Sequence, residues 1–251
     1  MQHLLHTGHL LKNLIELVMK KLFLSHLAAL LALCFSINAL AQETRGFNVS
    51  GFNKLSMGSA FRVEVKQGSR FSVSASGRTE DLQDLETSVK DGTLHLGYKS
   101  KGWNRNRKTV NVQITMPALT AVDFSGACKA NVGDFTGVKS MDIDVSGASQ
   151  VTMSFSAPKV SFDLSGASSL VLSGKGDVLN GEVSGASSFK GRDFSCKVVN
   201  IDASGASSAA VVASSSVRAD ASGASSVRYS GNVRDNEVHS STSGASSVKR
   251  D

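Results

Sequence analysis

The sequence predicts an all-β fold, a right-handed parallel β-helix of about seven rungs of ~20 residues each behind an N-terminal cap of strands and one short helix. Three observations predict it. Ser-Gly-Ala recurs seven times, with its glycine at Gly126, Gly147, Gly166, Gly185, Gly205, Gly223 and Gly244, at spacings of 21, 19, 19, 20, 18 and 21. Apolar residues alternate on both sides of the motif, as in Val160, Phe162, Leu164 before it and Leu170, Leu172 after it, which is the period of a strand with one buried face. The alternation breaks at the motif itself, where glycine permits a left-handed bend and the following alanine fits a tight interior corner.

The first 41 residues stand apart from that pattern. Met19-Lys20-Lys21, the apolar run Leu22 to Leu33, and Ala39-Leu40-Ala41 before Gln42 have the order of a secretory signal peptide, with translation expected to begin at Met19. The run is shorter than the ~20 residues of a membrane span, and no later segment approaches that length. Cys34 follows Leu33, a poor fit to the small residue that a lipid-attachment site wants. The protein is therefore expected to be exported, to the periplasm or the cell surface. The formal charge of +6 falls to +4 without Lys12, Lys20, Lys21 and Glu16, too mild a balance to indicate nucleic acid.

Residues 42–118 form the expected cap. Phe61 to Val65, Phe71 to Ala75, Leu94 to Tyr98 and Val110 to Ile114 alternate as strands. Thr79 to Asp91 reads as a short helix, with Leu82, Leu85 and Val89 on one face and Gly92 past its end. The cap covers the open end of the first rung. Pro117-Ala118-Leu119 leads without a linker into the rungs of 119–251, so 47–251 is one domain. Return turns are expected at Gly133-Asp134, Gly174 to Asp177, Gly191 to Asp193 and Gly231-Asn232, and the polar last rung ends in Lys249-Arg250-Asp251, which blunts the exposed edge.

Gly51-Phe52, the Phe-x-Val-x-Val strand, Asp91-Gly92-Thr93-Leu94, the Val-x-Val-x-Ile strand running to Pro117, and the Ser-Gly-Ala rungs together resemble the head GIN domain family of adhesin-like proteins common in Bacteroidetes. The resemblance implies a periplasmic or cell-surface β-helix and implies no reaction, cofactor or defined ligand.

Three polar patterns are candidates for chemistry. An acidic column sits three residues before each corner glycine, at Asp123, Asp144, Asp163, Glu182, Asp202 and Asp220. Six stacked carboxylates repel, so the column holds cations or sugars, or its members bond nearby turn N–H groups and serine hydroxyls. The second of these readings is expected, because Ca²⁺ wants 6–8 oxygen ligands and serine supplies them poorly. Serines two and three residues past the glycine form a second column, expected to be a solvated turn. Lys99, Lys101, Arg105, Arg107 and Lys108 surround Trp103 in a loop, the best single contact site for a polyanion, which on an exported protein means a lipopolysaccharide or an acidic polysaccharide and not nucleic acid. Catalysis is not expected. Lyases and glycosidases on β-helices need carboxylates or a base in a cleft, and rungs of 18–21 residues leave no insertion to build one. Neither a cofactor nor a metal site is indicated. The expected function is a non-enzymatic adhesin-like binding or scaffold module for a glycan, such as an envelope or extracellular polysaccharide, or for another polyanion. A polysaccharide-cleaving enzyme and a self-assembling envelope protein are the alternatives. Cys128 and Cys196 lie three or more rungs apart by register, too far for a disulfide.

Overall fold

In the computed structural model, residues 43–99 and 106–251, with Met19, are described; Lys101, Trp103 and Arg105 of the loop and nearly all of the leader fall outside them. Residues 43–251 form one compact unit. It is a β-solenoid, and its strands join a single continuous sheet. Among the described residues no helix is long and apolar enough to cross a membrane.

The repeats build the rod as their spacing requires. β8 (Ala121–Ser125) and β9 (Lys129–Phe135) flank the first corner. Then follow β10 (Ser140–Val145), β11 (Gln150–Leu164), β12 (Ser169–Val183), β13 (Ser188–Ala203), β14 (Ser208–Ala221), β15 (Ser226–Ser230), β16 (Val238–Thr242) and β17 (Ser247–Arg250). The long strands run from one corner through a return segment to the next. All pair in parallel one rung apart, so Asp144 lies opposite Asp123 on one side and Asp163 on the other. Met141, Ile143, Val145, Val160, Phe162 and Leu164 are buried as the alternation requires.

The corner differs from the sequence reading in one respect. Each corner glycine has a positive φ, +71° to +76° in Gly126, Gly147 and Gly166, and from Gly147 on each stacks on the glycine of the rung before, while Gly126 stacks on Ser59. The alanine after it, however, is exposed in every rung. The interior position belongs to the next residue: Ser149, Ser168, Ser187, Ser207 and Ser225 are at most 3 % exposed. These serines are therefore core residues and not the solvated turn expected of them. Their hydroxyls are satisfied by backbone. Ser168 donates to the Val145 carbonyl at 3.0 Å, Ser207 to Val183 at 3.0 Å and Ser225 to Ala203 at 3.1 Å, each on the preceding rung. Those same carbonyls accept the N–H of Ser165, Ser204 and Ser222, so both lone pairs are used. A buried hydroxyl with a partner avoids the ~1–3 kcal/mol of an unsatisfied one. Cys128 occupies this position in the first rung.

The N-terminal segment is more than a cap. β2 (Lys54–Gly58) and β3 (Phe61–Gln67) pair in parallel with β8 and β9, and form a rung of their own. On the far side of that rung, also in parallel, lie β6 (Thr93–Tyr98) and β7 (Val110–Met116). The stacking order is therefore β6–β7, then β2–β3, then β8–β9, which is not the chain order. Antiparallel strands finish the end: β4 (Ser72–Gly77) on β7, β1 (Glu43–Phe47) on β4, and β5 (Leu85–Lys90) on β6.

The expected helix Thr79–Asp91 is corrected to a single turn, α1 (Thr79–Gln83), followed by strand β5. Leu82 and Leu85 are buried, but Val89 is 37 % exposed. Asp91 and Gly92, with φ of 51° and 74°, form the two-residue turn that joins β5 to β6. Both central residues of such a turn need positive φ, for which Asp-Gly is well suited, and pairing with the edge of β6 outweighs one weak amphipathic turn.

Cys128 and Cys196 are both free and buried. Burial pushes their thiols up to about 12 and about 11, so neither is a reactive thiolate at neutral pH.

Candidate polysaccharide-binding faces

The acidic column stands on the outer surface of the strands that precede the corners. Register places Ser56, Asp123, Asp144, Asp163, Glu182, Asp202, Asp220 and Ser241 opposite one another in turn. A parallel column two residues earlier carries Asp142, Ser161, Asn180, Asn200 and Arg218. Between the two runs a shallow groove of about 740 Å³, whose lining includes Lys54 and His95 toward the N-terminal end. In it Asn200 donates to Asn180 at 2.8 Å.

The expected bonds from these carboxylates to the corners are largely absent. Asp123 accepts from Ser56 at 3.0 Å, and Asp220 faces Arg218 at 3.4 Å. Among the described residues, Asp144, Asp163, Glu182 and Asp202 have no side-chain hydrogen bond or ion pair. Desolvation, then the charges of Asp123 and Asp163, raise the Asp144 carboxyl above its ordinary value. A carboxyl whose pKa is higher folded than unfolded opposes folding when ionised, and the penalty disappears as the pH falls through the folded value. Asp144→Asn is therefore expected to stabilise the protein at pH 7 by a few tenths of a kcal/mol, the lower part of the ~0.2–1 kcal/mol range for facing pairs, because solvent screens the site. The gain should shrink in acid. Urea denaturation of both proteins at pH 7 and pH 4 checks it, and a destabilised variant would mean that an unseen partner holds Asp144.

The face beyond the corner has the opposite character. Its two outward columns run Arg62, Lys129, Gln150, Ser169, Ser188, Ser208 and Glu64, Asn131, Thr152, Val171, Lys190, Ala210. A second groove of about 720 Å³ follows them. Composition gave no sign of this division, because opposite charges cancel in the total. The spacing of Lys129 and Lys190 from their corner glycines would have revealed it.

The basic loop is only partly described. Lys99 donates to the Gln83 carbonyl at 3.3 Å. Arg107 pairs with Asp84 and lies 3.9 Å over the Tyr98 ring, and the Lys108 N–H donates to Asp81 at 3.1 Å. Arg107 therefore fastens the loop to α1 with much of its bonding capacity. Among the described residues no group of three or more His, Cys, Asp or Glu side chains is arranged to hold a metal ion.

The sequence profile of the family described as "Putative auto-transporter adhesin, head GIN domain" matches residues 51–233. The chain belongs to the head GIN domain family. Solved structures with the same fold include a "putative adhesin" of Bacteroides fragilis, 21 % identical, with a TM-score of 0.77 over 85 % of this chain and 98 % of that one. A "putative adhesin" of Parabacteroides merdae is 15 % identical, with a TM-score of 0.65 over 85 % and 97 %. A "putative lipid binding protein" of Parabacteroides distasonis is 20 % identical, with a TM-score of 0.61 over 85 % and 98 %. No curated protein matches the chain. The head GIN domain thus spans nearly all of the described solenoid, from Gly51 in the cap to Val233 before the last rung. Membership suggests an exported or surface protein with an adhesin-like role.

Proposed function

We propose that this head GIN domain protein is an exported, non-enzymatic, adhesin-like module that binds an envelope or extracellular polysaccharide along its acidic groove, with the Trp103 loop as anchor. The observation that carries this reading is the row Asp144, Asp163, Glu182 and Asp202, aligned in register and without protein partners, beside the Asn180–Asn200 pair. Carboxylates accept and amides both accept and donate, which suits the hydroxyls of a sugar chain lying along the rod. A row of mutually repelling carboxylates costs stability, and local rules broken in this way mark functional surfaces. The sequence places Lys99, Lys101, Arg105, Arg107 and Lys108 around Trp103 in the segment that follows β6, the strand bearing His95, and their charge and ring face are the features of the proposed anchor.

Support for a non-enzymatic role is chemical. The carboxylates repeat at one position of successive rungs, and although desolvation raises Asp144, Asp144, Asp163, Glu182 and Asp202 stay exposed, without the buried setting that tunes a general acid. The test is retention of the purified protein on immobilised envelope polysaccharide, run beside assays for reducing ends and unsaturated products. Binding without turnover is expected, weakened about tenfold, or ~1.4 kcal/mol, by Trp103→Ala. Turnover abolished by Asp163→Asn would replace this reading with the enzyme.

A further inference from the structure

We infer that the second face, across the Ser-Gly-Ala corners from the carboxylate row, is a separate binding groove for a carboxylate-bearing polysaccharide, a polymer of uronic acids. The inference rests on the polysaccharide reading above and adds a site of opposite charge. Arg62 and Lys129 are neighbours on adjacent strands at one end of the groove, and Lys190 lies three rungs past Lys129, about 14 Å along the rod at the spacing of parallel strands and in the adjoining column. All three are exposed and, among the described residues, none has an ion-pair or side-chain hydrogen-bond partner. Glu64, the one carboxylate lining the groove among the described residues, accepts from the Asn131 amide at 3.1 Å.

Between the cationic ends the floor is Gln150, Thr152 and Ser188, an amide and two hydroxyls able to bond sugar hydroxyls. The exposed corner alanines Ala167 and Ala186 give it a low rim, so a flat ring can approach closely. Cations at the two ends and neutral donors between fit a short stretch of acidic sugar chain, with the Arg62 fork taking one carboxylate in two hydrogen bonds and Lys190 taking another as a point charge. Further along the same columns Arg228 and Lys249 continue the basic surface. Among the described residues no aromatic side chain lines the groove for stacking of nucleic-acid bases. The carboxylate row on the adjoining face repels the same polymer, which confines it to this side.

The test is calorimetric titration of the full chain with polygalacturonate, with its fully methyl-esterified form as the uncharged twin and dextran sulfate as a sulfated competitor. The acid form is expected to bind at least about tenfold tighter than the ester. Lys129→Glu/Lys190→Glu should lose that preference while melting as the parent does, since both side chains are exposed. Trp103→Ala and Asp163→Asn should leave it intact. Equal binding of acid and ester, an unaffected double variant, a loss produced only by Trp103→Ala, or tighter binding of dextran sulfate would each overturn the inference. Neutral polysaccharide bound without polygalacturonate defeats this site alone and leaves the proposed function standing. Binding of no polysaccharide defeats both.

Discussion

Gly185→Val is expected to destabilise the solenoid by about 2–5 kcal/mol, the sum of two separate penalties. At φ +68° a side chain is forced into the left-handed region, at a cost of roughly 1–2 kcal/mol. A Cβ there also stands 2.5 Å from the carbonyl oxygen of Gly166, the glycine stacked one rung away. That oxygen accepts the Ala186 N–H at 2.7 Å, so the strands cannot part without breaking the ladder. Overpacking of this kind adds about 1–3 kcal/mol. Gly97, which has open space around its Cα and an ordinary φ, serves as the control, and Gly97→Ala should melt close to the parent. Denaturant titration decides the matter: a Gly185→Val protein with an unchanged midpoint would mean that the corners do not stack as described.

Phe162→Ala should cost about 3–5 kcal/mol through the cavity it leaves. Phe162 is 4 % exposed, and its ring stacks on Phe189 with centroids 4.2 Å apart. The ring occupies space that the next rung vacates: Gly181 pairs with Phe162, and a Cβ on Gly181 would come within 2.0 Å of its Cζ. The two positions therefore share one volume. Gly181→Ala alone should destabilise strongly, and in the Phe162→Ala background it should cost far less or even stabilise. A double-mutant cycle measures that coupling, and simple additivity would show that the ring does not lie over the glycine.

Phe162 and Gly181 also illustrate what the sequence makes legible. The period and the alternation place Phe162 in the core, but only the register of neighbouring rungs explains why the equivalent residue one rung on is a glycine. The buried serines were misread because a hydroxyl is taken for solvent. Two clues pointed inward: they share the parity of Leu170 and Leu172, and in the first rung their place is taken by Cys128. Strand β5 was hidden by three apolar residues at helical spacing, although Asp91-Gly92 is a hairpin turn as readily as a helix end. The rung β2–β3 carries Gly58-Ser59-Ala60, the corner motif with its first two residues exchanged, and Ser59 stands where the next rung has Gly126. The carboxylate row was found at every residue, yet its want of partners depended on side-chain geometry that spacing does not encode.

The out-of-order placement of β2–β3 sets this rung between two unequal flanks. One flank is sealed after a single further layer by β4 and β5 running the opposite way. The other carries the Ser-Gly-Ala rungs, one corner after another, to the polar last rung. Length is thereby separated from the sealed end: a segment such as 148–166, between one corner glycine and the next, can be gained or lost, and the rod changes by one strand spacing while the sealed end stays untouched. The outward columns that run along such a rod lengthen with it, so the extent of each repeated surface is set by copy number and not by the invention of new side-chain arrangements.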